Sequence, residues 1–186
     1  MEEREAIRRC RRGDPDAFAH LVRGHQAAVL ALCYRMTGSR EDAADAAQQA
    51  FLQAYRRLET FDPAQPFRPW LMKIATNECI TLLRRRGRRL EAADAAAPER
   101  AVATEPDAPS LVELAEDREA VRRAVTALPL PYRTAIVQYY FEGLSYQQMA
   151  ERSGLSTGTI ATHLHRAKQL LRRSLSEQEV TVRHAP

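Results

Sequence analysis

The sequence predicts an all-α protein of two small helical domains that are joined by a flexible acidic linker, with a helix-turn-helix in the second domain. Three observations predict this fold. The composition is rich in Ala, Leu, Arg and Glu, which favour helix. Apolar residues recur at helical spacing in both halves of the chain, and a Pro-rich polar stretch separates the halves. A length of 186 residues suits two small domains.

The charge of the chain indicates a partner that carries phosphates. The formal net charge is only +4, but the pI is about 9.2 and the basic residues are clustered. The three cysteines, Cys10, Cys33 and Cys79, form no CxxC pair and have no nearby histidine cluster, so we expect reduced thiols and no bound metal or cofactor. The N-terminus lacks the apolar core of a secretion signal, and no stretch approaches the roughly 18 apolar residues of a membrane span. We therefore expect a cytoplasmic protein without membrane insertion.

The first two helices are predicted from their caps. Asp14 followed by Pro15 is typical of a helix start, and Gly38 of a helix end. Ser39 followed by Asp42 indicates the start of a second helix. Apolar residues at helical spacing predict the buried stripe of each helix. The first stripe is Phe18, Leu21, Val22, Val29, Leu32, Cys33 and Met36, and the second is Ala44, Ala47, Phe51, Ala54, Tyr55 and Leu58.

A Pro-rich loop and a third helix complete the predicted first domain, residues 1–89. Three prolines between Thr60 and Pro69 prevent regular helix, so we expect a semi-rigid loop that displays Phe61 and Phe67. A helix then runs from Trp70 to about residue 86, followed by a basic run that ends at residue 89.

Residues 90–110 are predicted to be the flexible linker. They consist mainly of Ala, Pro and acidic residues, with almost no large apolar side chain to bury. The acidic residues outnumber Arg100 and reverse the sign of the preceding basic run; they are Glu91, Asp94, Glu99, Glu105 and Asp107.

The second domain is predicted over residues 111–175, followed by a tail over 176–186. A helix from Leu111 to Ala127 is interrupted by the two prolines of residues 128–131. The next helix carries Ile136, Val137, Tyr140 and Phe141 and stops at Gly143.

A helix-turn-helix motif follows. Ser145 and Gln148 form a capping box for a short helix through Arg152, Gly154 marks the turn, and a longer basic helix runs from Thr157 to about residue 173. We expect Ala150 at the helix contact and Met149, Leu155, Ile160 and Leu164 in the shared core. The outward candidates for DNA contact are Thr159, Thr162, His163, His165, Arg166 and Lys168. An ordinary helical hairpin with a solvated basic face is the alternative.

A second candidate surface lies in the first domain. Lys73, Asn77 and Arg84 share one helical face beside the aromatic loop and Arg68. Cationic groups, an amide and aromatic rings together suit the capture of an unpaired base. Each residue alone has a plainer interpretation. For Trp70, packing in the core is the favoured interpretation. For Phe67, core packing and base contact are equally good interpretations. The arginine run can be a solvated helix end.

Four segments in order resemble an extracytoplasmic-function sigma factor, the minimal group of the sigma-70 family. They are GDPDAFAHLV, SREDAADAAQQAFLQAYRRLETFDP, FRPWLMKIATNECITLLRRRGRR and LPLPYRTAIVQYYFEGLSYQQMAERSGLSTGTIATHLHRAKQLLR, and the resemblance covers about residues 14–173. It implies that the first domain contains the second conserved region of the family and the last domain the fourth.

The resemblance also implies partners and roles. Asp45, Gln48 and Gln49 would face the coiled-coil clamp of core RNA polymerase, with Gln49 in place of the usual Glu. The loop from Phe61 to Arg68 and the helix with Lys73 and Asn77 would melt the minus-ten promoter element and hold a flipped base of the non-template strand. Thr159, Thr162 and Arg166 would read the minus-thirty-five element, although Ala161 stands where a basic residue is frequent. An anti-sigma factor is an expected further partner.

Two other classes of function fit the sequence less well. A stand-alone helix-turn-helix regulator fits the second half of the chain, but it does not need an arginine-rich helix beside an aromatic loop. A nucleic-acid enzyme is disfavoured because the chain lacks a P-loop, a metal-ligand cluster and a carboxylate dyad on a folded element. Oxidation sensing by Cys33 and Cys79 is less favoured than their burial as small thiols.

Overall fold

The computed structural model describes residues 2–93 and 112–183, and the side chains of residues 2–88 and 119–176. Within those ranges the chain is helical and contains no strand, so the predicted all-α fold is confirmed. Short 3₁₀ and π turns lie at Leu58–Thr60 and Val137–Phe141. The α-helices are α1 (Glu3–Arg11), α2 (Pro15–Thr37), α3 (Arg40–Arg56), α4 (Phe67–Ala93), α5 (Val112–Ala127), α6 (Leu130–Ile136), α7 (Tyr146–Ser153) and α8 (Thr157–Arg183).

Helices α2, α3 and α4 pack together as the first domain, and the predicted caps of α2 and α3 are confirmed. The Asp14 carboxylate accepts from the backbone N–H groups of Asp16 and Ala17. Gly38 ends α2 with φ of 76°, a left-handed conformation that glycine adopts without strain. The Ser39 hydroxyl accepts from the backbone N–H of Asp42.

The sequence interpretation missed helix α1. Ala6, Ile7 and Cys10 are buried against α2. They are the buried residues of α1, all of which lies within the described residues. The rest of the helix is charged, which conceals the amphipathic pattern. Helix α1 thus adds a fourth helix to the three predicted for this domain.

The predicted stripe of α3 is partly wrong. Ala44 is exposed, and Tyr55 is 45% exposed. The buried residues are Ala43, Ala46, Ala47, Ala50 and Ala54. Helix α3 contacts both α2 and α4, so alanines on two flanks face neighbouring helices, and small side chains allow both to approach closely.

Helix α4 begins earlier and ends later than predicted. It starts at Phe67 and includes Pro69 in its first turn, where a missing N–H breaks no helical hydrogen bond. It continues through the basic run to Ala93, so residues 90–93 of the predicted linker are helical. The remainder of that linker, including most of its acidic residues, lies outside the described residues.

The second domain contains α5 to α8, with α8 packed across α5, α6 and α7. The turn and both helices of the predicted helix-turn-helix are confirmed, and α8 extends to Arg183, ten residues beyond the predicted end and into the predicted tail. Met149, Ile160 and Leu164 are buried as expected, and Ala150 packs against the core. The prediction for Leu155 is wrong, because its side chain is 42% exposed in the turn.

The two domains lie against each other. Helix α5 and the π turn of the second domain contact α2 of the first. Nowhere in the described ranges is a helix both long enough and apolar enough to cross a membrane.

Candidate nucleic-acid and polymerase interfaces

The exposed side of α4 carries the residues that the sequence singled out. Lys73, Asn77 and Arg84 are all exposed, and their spacing places them along one side of the helix. Thr81 and Arg88 extend the same exposed row toward the helix end. The row combines an amide, which can read a base edge, with cations that can follow a phosphate backbone.

The expectation that the loop displays Phe61 and Phe67 is wrong. Phe61 is 3% exposed and Phe67 is 1% exposed. Their ring centroids lie 5.5 Å apart, and the Trp70 centroid lies 4.9 Å from Phe61 and 5.4 Å from Phe67. The three rings form an aromatic cluster that joins the core of the first domain, because burying large apolar area is favourable. In this conformation neither phenylalanine can stack on a base.

The outer surface of the loop is polar. Residues 62–66 and Arg68 are exposed. The Asp62 carboxylate accepts from the backbone N–H of Ala64 at 2.9 Å, which closes a local turn. The aromatic cluster and this turn together stabilise the conformation of the loop.

Arg11 of α1 fastens the start of the loop, a contact that the sequence interpretation missed. Its guanidinium donates to the carbonyl of Leu58 at 3.1 and 3.2 Å, to that of Glu59 at 3.3 Å and to that of Phe61. One planar cation thereby satisfies carbonyls that lie outside regular helix. The sequence signal was an arginine three residues before a helix cap, which is too common to predict such a contact.

His25 supports the loop from α2. Its ring lies 5.3 Å from the Phe67 ring, and its Nε2 lies 2.8 Å from the Glu3 carboxylate of α1.

The described residues contain no group of three His, Cys, Asp or Glu side chains placed to hold a metal ion.

The arginine run closes one side of a groove between α3 and α4. Arg86 pairs with Asp42 across the groove, whereas Arg84 is exposed and does not line the groove. The groove has a volume of about 820 Å³ and includes Gln49 of α3 in its lining. The basic run is therefore split between an ion pair and a free cationic surface.

The three predicted polymerase contacts are exposed on α3. Asp45, Gln48 and Gln49 lie at positions i, i+3 and i+4, which places them on one side of the helix. Gln48 also borders an apolar groove of about 620 Å³ between α2 and α3. The sequence interpretation did not find this groove; its large apolar lining residues are Phe18, Val22, Leu30, Phe51, Leu52 and Tyr55.

The helix-turn-helix has the local geometry of a rigid unit. Ser145 and Gln148 form both hydrogen bonds of a capping box, and Gly154 has φ of 71°. The Ser156 hydroxyl accepts from the backbone N–H of Thr159 at 3.1 Å and so caps the start of α8. The two helices are thus fixed relative to the turn by side-chain caps.

The six candidate contacts on α8 fall into two groups. Thr162, His165 and Arg166 are exposed, while Thr159, His163 and Lys168 are half-buried. Tyrosines of the same domain hold three of them. Arg166 donates to the Tyr132 hydroxyl at 3.3 Å, the His163 ring lies 5.5 Å from the Tyr132 ring, and Lys168 Nζ lies 5.7 Å from the Tyr139 and Tyr140 rings. The hydrogen bond to Tyr132 raises the pKa of Arg166.

Cys33 and Cys79 meet in the core of the first domain. Both are fully buried. Hydrogen bonding to Cys33, together with burial, strongly raises the pKa of the Cys79 thiol. A protonated buried thiol is a poor nucleophile, which favours the interpretation as core residues.

Comparison with known families gives two matches in chain order. A model described as Sigma-70 region 2 matches residues 21–89, and one described as Sigma-70, region 4 matches residues 118–171. Together they cover more than half of the chain.

Curated relatives match almost end to end. The ECF RNA polymerase sigma factor SigW of Bacillus subtilis is 32% identical, with 95% of this chain and 98% of the relative covered. The RNA polymerase sigma-H factor of Pseudomonas aeruginosa is also 32% identical, with 94% of each chain covered. The ECF RNA polymerase sigma-E factor of Escherichia coli is 32% identical over 92% of this chain and 93% of the relative.

Solved structures give the same picture. The sigma factor RpoE from Bartonella quintana, in complex with the anti-sigma factor NepR, has a TM-score of 0.68 and 25% identity, with 86% of this chain and 96% of that chain covered. CnrH, in complex with the cytosolic domain of CnrY, has a TM-score of 0.63 and 27% identity over 94% of this chain and 97% of that chain.

Proposed function

Because the chain belongs to the extracytoplasmic-function group of the sigma-70 family, whose members direct core RNA polymerase to promoters, we propose a specific role for each exposed surface. The row on α4 binds the melted minus-ten element. The helix-turn-helix binds the minus-thirty-five element as duplex, and α3 binds polymerase. The cytoplasm is the proposed location.

The proposed minus-ten site uses the exposed row on α4 and the outer surface of the loop. Asn77 hydrogen-bonds the edge of a flipped base, while Lys73, Arg68 and Arg84 contact the strand backbone. The buried rings of Phe61 and Phe67 support the loop from beneath in place of the stacking first expected of them. Exposure of the whole row, together with a fixed loop, supports this assignment.

Promoter opening in this scheme depends on binding energy alone. Unstacking and unpairing a base costs a few kcal/mol, and contacts made only by the flipped base offset that cost. The second domain holds a separate element of the same DNA, so the minus-ten contact becomes effectively intramolecular. Neither ATP nor a catalytic residue is needed.

The proposed minus-thirty-five site is the exposed side of α8. Thr162, His165 and Arg166 face the major groove, with Thr159, His163 and Lys168 at its margin. Tyr132 holds the Arg166 side chain before DNA arrives, which lowers the entropy lost on binding.

The proposed polymerase surface is the side of α3 that carries Asp45, Gln48 and Gln49. The adjoining apolar groove adds the buried area that a stable protein contact needs beyond polar pairs. Gln49 contributes hydrogen bonds without charge. An anti-sigma factor is a proposed second protein partner, supported by the likeness to RpoE, which was solved with NepR.

The observation that carries the proposal is that one chain presents both the exposed row on α4 and a helix-turn-helix. The test is transcription in vitro from genomic DNA fragments by bacterial core polymerase, with and without the protein. We expect start sites that appear only when the protein is added. We expect Asn77→Ala to reduce them, while Glu2→Ala, at an exposed position before α1 and outside the proposed surfaces, does not. Absence of protein-dependent initiation, with tight duplex binding by the protein alone, would instead indicate a stand-alone regulator.

A further inference from the structure

The start of the loop between α3 and α4 is held by one side chain of α1. We call residues 58–66 the minus-ten loop. Arg11 Nε and Nη2 donate to the Leu58 carbonyl at 3.2 and 3.1 Å. Nη2 also donates to the carbonyls of Glu59, at 3.3 Å, and of Phe61. A guanidinium carries several N–H donors in one rigid plane, so a single arginine can hold three carbonyls of the loop together.

Two of these carbonyls depend on Arg11 for a partner. The Leu58 carbonyl also accepts from the backbone N–H of Phe61 at 3.3 Å. Within the described residues, no backbone N–H donates to the carbonyl of Glu59 or to that of Phe61. Carbonyls that are removed from water need a replacement donor. Without Arg11, the peptide groups that follow Glu59 and Phe61 would be free to turn toward water.

The Phe61 carbonyl lies immediately before the exposed turn of the minus-ten loop. The Asp62 carboxylate accepts from the backbone N–H of Ala64 at 2.9 Å, and the Asp62 carbonyl accepts from that of Gln65 at 3.0 Å. The Phe61 carbonyl belongs to the planar peptide group that leads into Asp62, so rotation of this group would reorient the turn. The bond from Arg11 therefore sets the direction in which residues 62–66 leave the core.

Helix α1 gives Arg11 a firm base. Ala6, Ile7 and Cys10 are buried on the inner face of this helix. At the start of α1, the Glu3 carboxylate lies 2.8 Å from His25 Nε2 of α2. The Arg11 side chain therefore extends from a helix that is fixed to the first domain along its length.

The aromatic cluster holds both ends of the exposed turn. The ring centroids of Phe61 and Phe67 lie 5.5 Å apart, and residues 62–66 run between these two buried rings. Phe67 begins α4, the helix that also carries Lys73 and Asn77. Ordering a loop when a ligand binds costs conformational entropy, and a loop that is ordered beforehand avoids this cost.

We propose that Arg11 is a positioning residue of the minus-ten site: it fixes the minus-ten loop in the conformation that receives the flipped base. It acts through the loop carbonyls and does not contact DNA. The inference rests on the minus-ten role proposed for α4 and its loop. Two simpler roles for Arg11, general support of the fold and direct contact with a DNA phosphate, give different experimental results.

The first test asks whether Arg11 affects the flipped base in particular. Complexes of the full chain with bacterial core polymerase are titrated with a labelled non-template strand from a promoter mapped by the transcription assay. Further strands carry an abasic site at each position in turn, and the position at which the wild type loses most affinity marks the flipped base. For Arg11→Ala, we expect affinity for the intact strand to fall about tenfold, because the loop must then be ordered on binding. Affinity for the strand that lacks the flipped base should change little.

Arg12→Ala is the matched control. Arg12 is the next residue, carries the same charge and is exposed. In the part of the chain that the structure describes, its side chain donates to no carbonyl of the minus-ten loop. We expect Arg12→Ala to keep the wild-type ratio of the affinities for the intact and abasic strands.

Direct contact with a phosphate is tested by Arg11→Lys and by salt. Lysine keeps the charge but lacks the planar set of donors, so Arg11→Lys should lose discrimination against the abasic strand as Arg11→Ala does. The slope of log affinity against log salt should keep its wild-type value in Arg11→Ala, because no phosphate contact is lost. A slope that is shallower by roughly 0.7, or full rescue by lysine, would overturn the positioning role in favour of a phosphate contact.

General support of the fold is tested by hydrogen exchange. The backbone N–H groups of Ala64 and Gln65 are hydrogen-bonded within the turn. We expect Arg11→Ala to speed exchange in residues 58–66 and to leave α2 and α3 at their wild-type rates. Equal acceleration across the first domain, in both Arg11→Ala and the milder Arg11→Lys, would show that Arg11 only stabilises the fold.

The outcomes separate this inference from the proposed function. If the wild type initiates transcription and both Arg11 variants keep the wild-type loss of affinity at the abasic position, the positioning role is overturned and the proposed function stands. If the wild type initiates no transcription and loses no affinity at any abasic position, both are overturned.

Discussion

Helices α4 and α8 both carry cations that we propose to face DNA, but the two helices hold these side chains differently. On α4, Lys73, Asn77 and Arg84 make no side-chain hydrogen bond or ion pair within the described part of the chain. On α8, tyrosines of the same domain hold Arg166, His163 and Lys168. A duplex has a regular shape that a pre-ordered surface can match, whereas a melted strand varies and suits side chains that order on binding.

The largest expected effect tests whether the loop beside α4 depends on its buried rings. Phe67→Ala removes a fully buried ring from the aromatic cluster and should lower the free energy of unfolding by about 3–5 kcal/mol. Chemical denaturation of the full chain measures this. A variant that unfolds like wild type but loses strand binding would show that Phe67 stacks on DNA after all.

Asn77→Ala should separate recognition from folding. The side chain is exposed, so we expect unfolding to change little. Loss of a bidentate base contact should reduce promoter melting by about tenfold to hundredfold. Permanganate reactivity of unpaired thymines checks this, and a pre-melted promoter template serves as control. If Asn77→Ala is equally defective on that template, Asn77 contributes to binding of the single strand and not specifically to promoter opening.

Arg84→Ala should weaken binding to DNA strands of every sequence by a similar factor. A phosphate contact carries no sequence information, so affinity for all strands should fall by a similar, smaller factor. The slope of log affinity against log salt should become shallower by roughly 0.7 for a single strand. Strand-binding titrations over a range of salt concentrations measure the slope. Loss of sequence preference instead would assign Arg84 to base recognition.

The smallest expected effect tests whether the contact between Tyr132 and Arg166 of α8 assists DNA binding. Tyr132→Phe removes the hydroxyl that accepts from Arg166, and we expect a roughly twofold to threefold loss of duplex affinity because the bond is solvent-exposed. Tyr140→Phe is the control, since its ring still faces Lys168. Gel-shift titration of a minus-thirty-five duplex compares the two. Equal affinities would show that Arg166 needs no pre-ordering.

Local sequence signals predicted the starts of α2 and α3 and the two helices of the helix-turn-helix well. The caps at Asp14, Ser39 and Ser145 act through residues two or three positions away, so the pattern is legible in the sequence. The order of segments in the chain made the family identifiable.

Properties that depend on distant residues could not be predicted. Phe67 is buried because its ring packs against groups that are distant in sequence, such as His25 of α2. No local sequence signal indicates the contacts of Arg122 and Arg133, because the carbonyls that they bind belong to the end of α2 in the other domain. Helix α1 escaped notice because three apolar residues among charges are too few to show periodicity.

The bounds of α4 and α5 also limit how far apart the two domains can lie. Helix α4 ends at Ala93 and α5 begins at Val112, so covalent geometry limits the distance between those points to about 65 Å. That is roughly the length of 19 base pairs of duplex. If α4 and α8 bind the two proposed promoter elements, this maximum distance limits the spacing between the elements. Promoters with a wider spacing should then be excluded whatever their sequence.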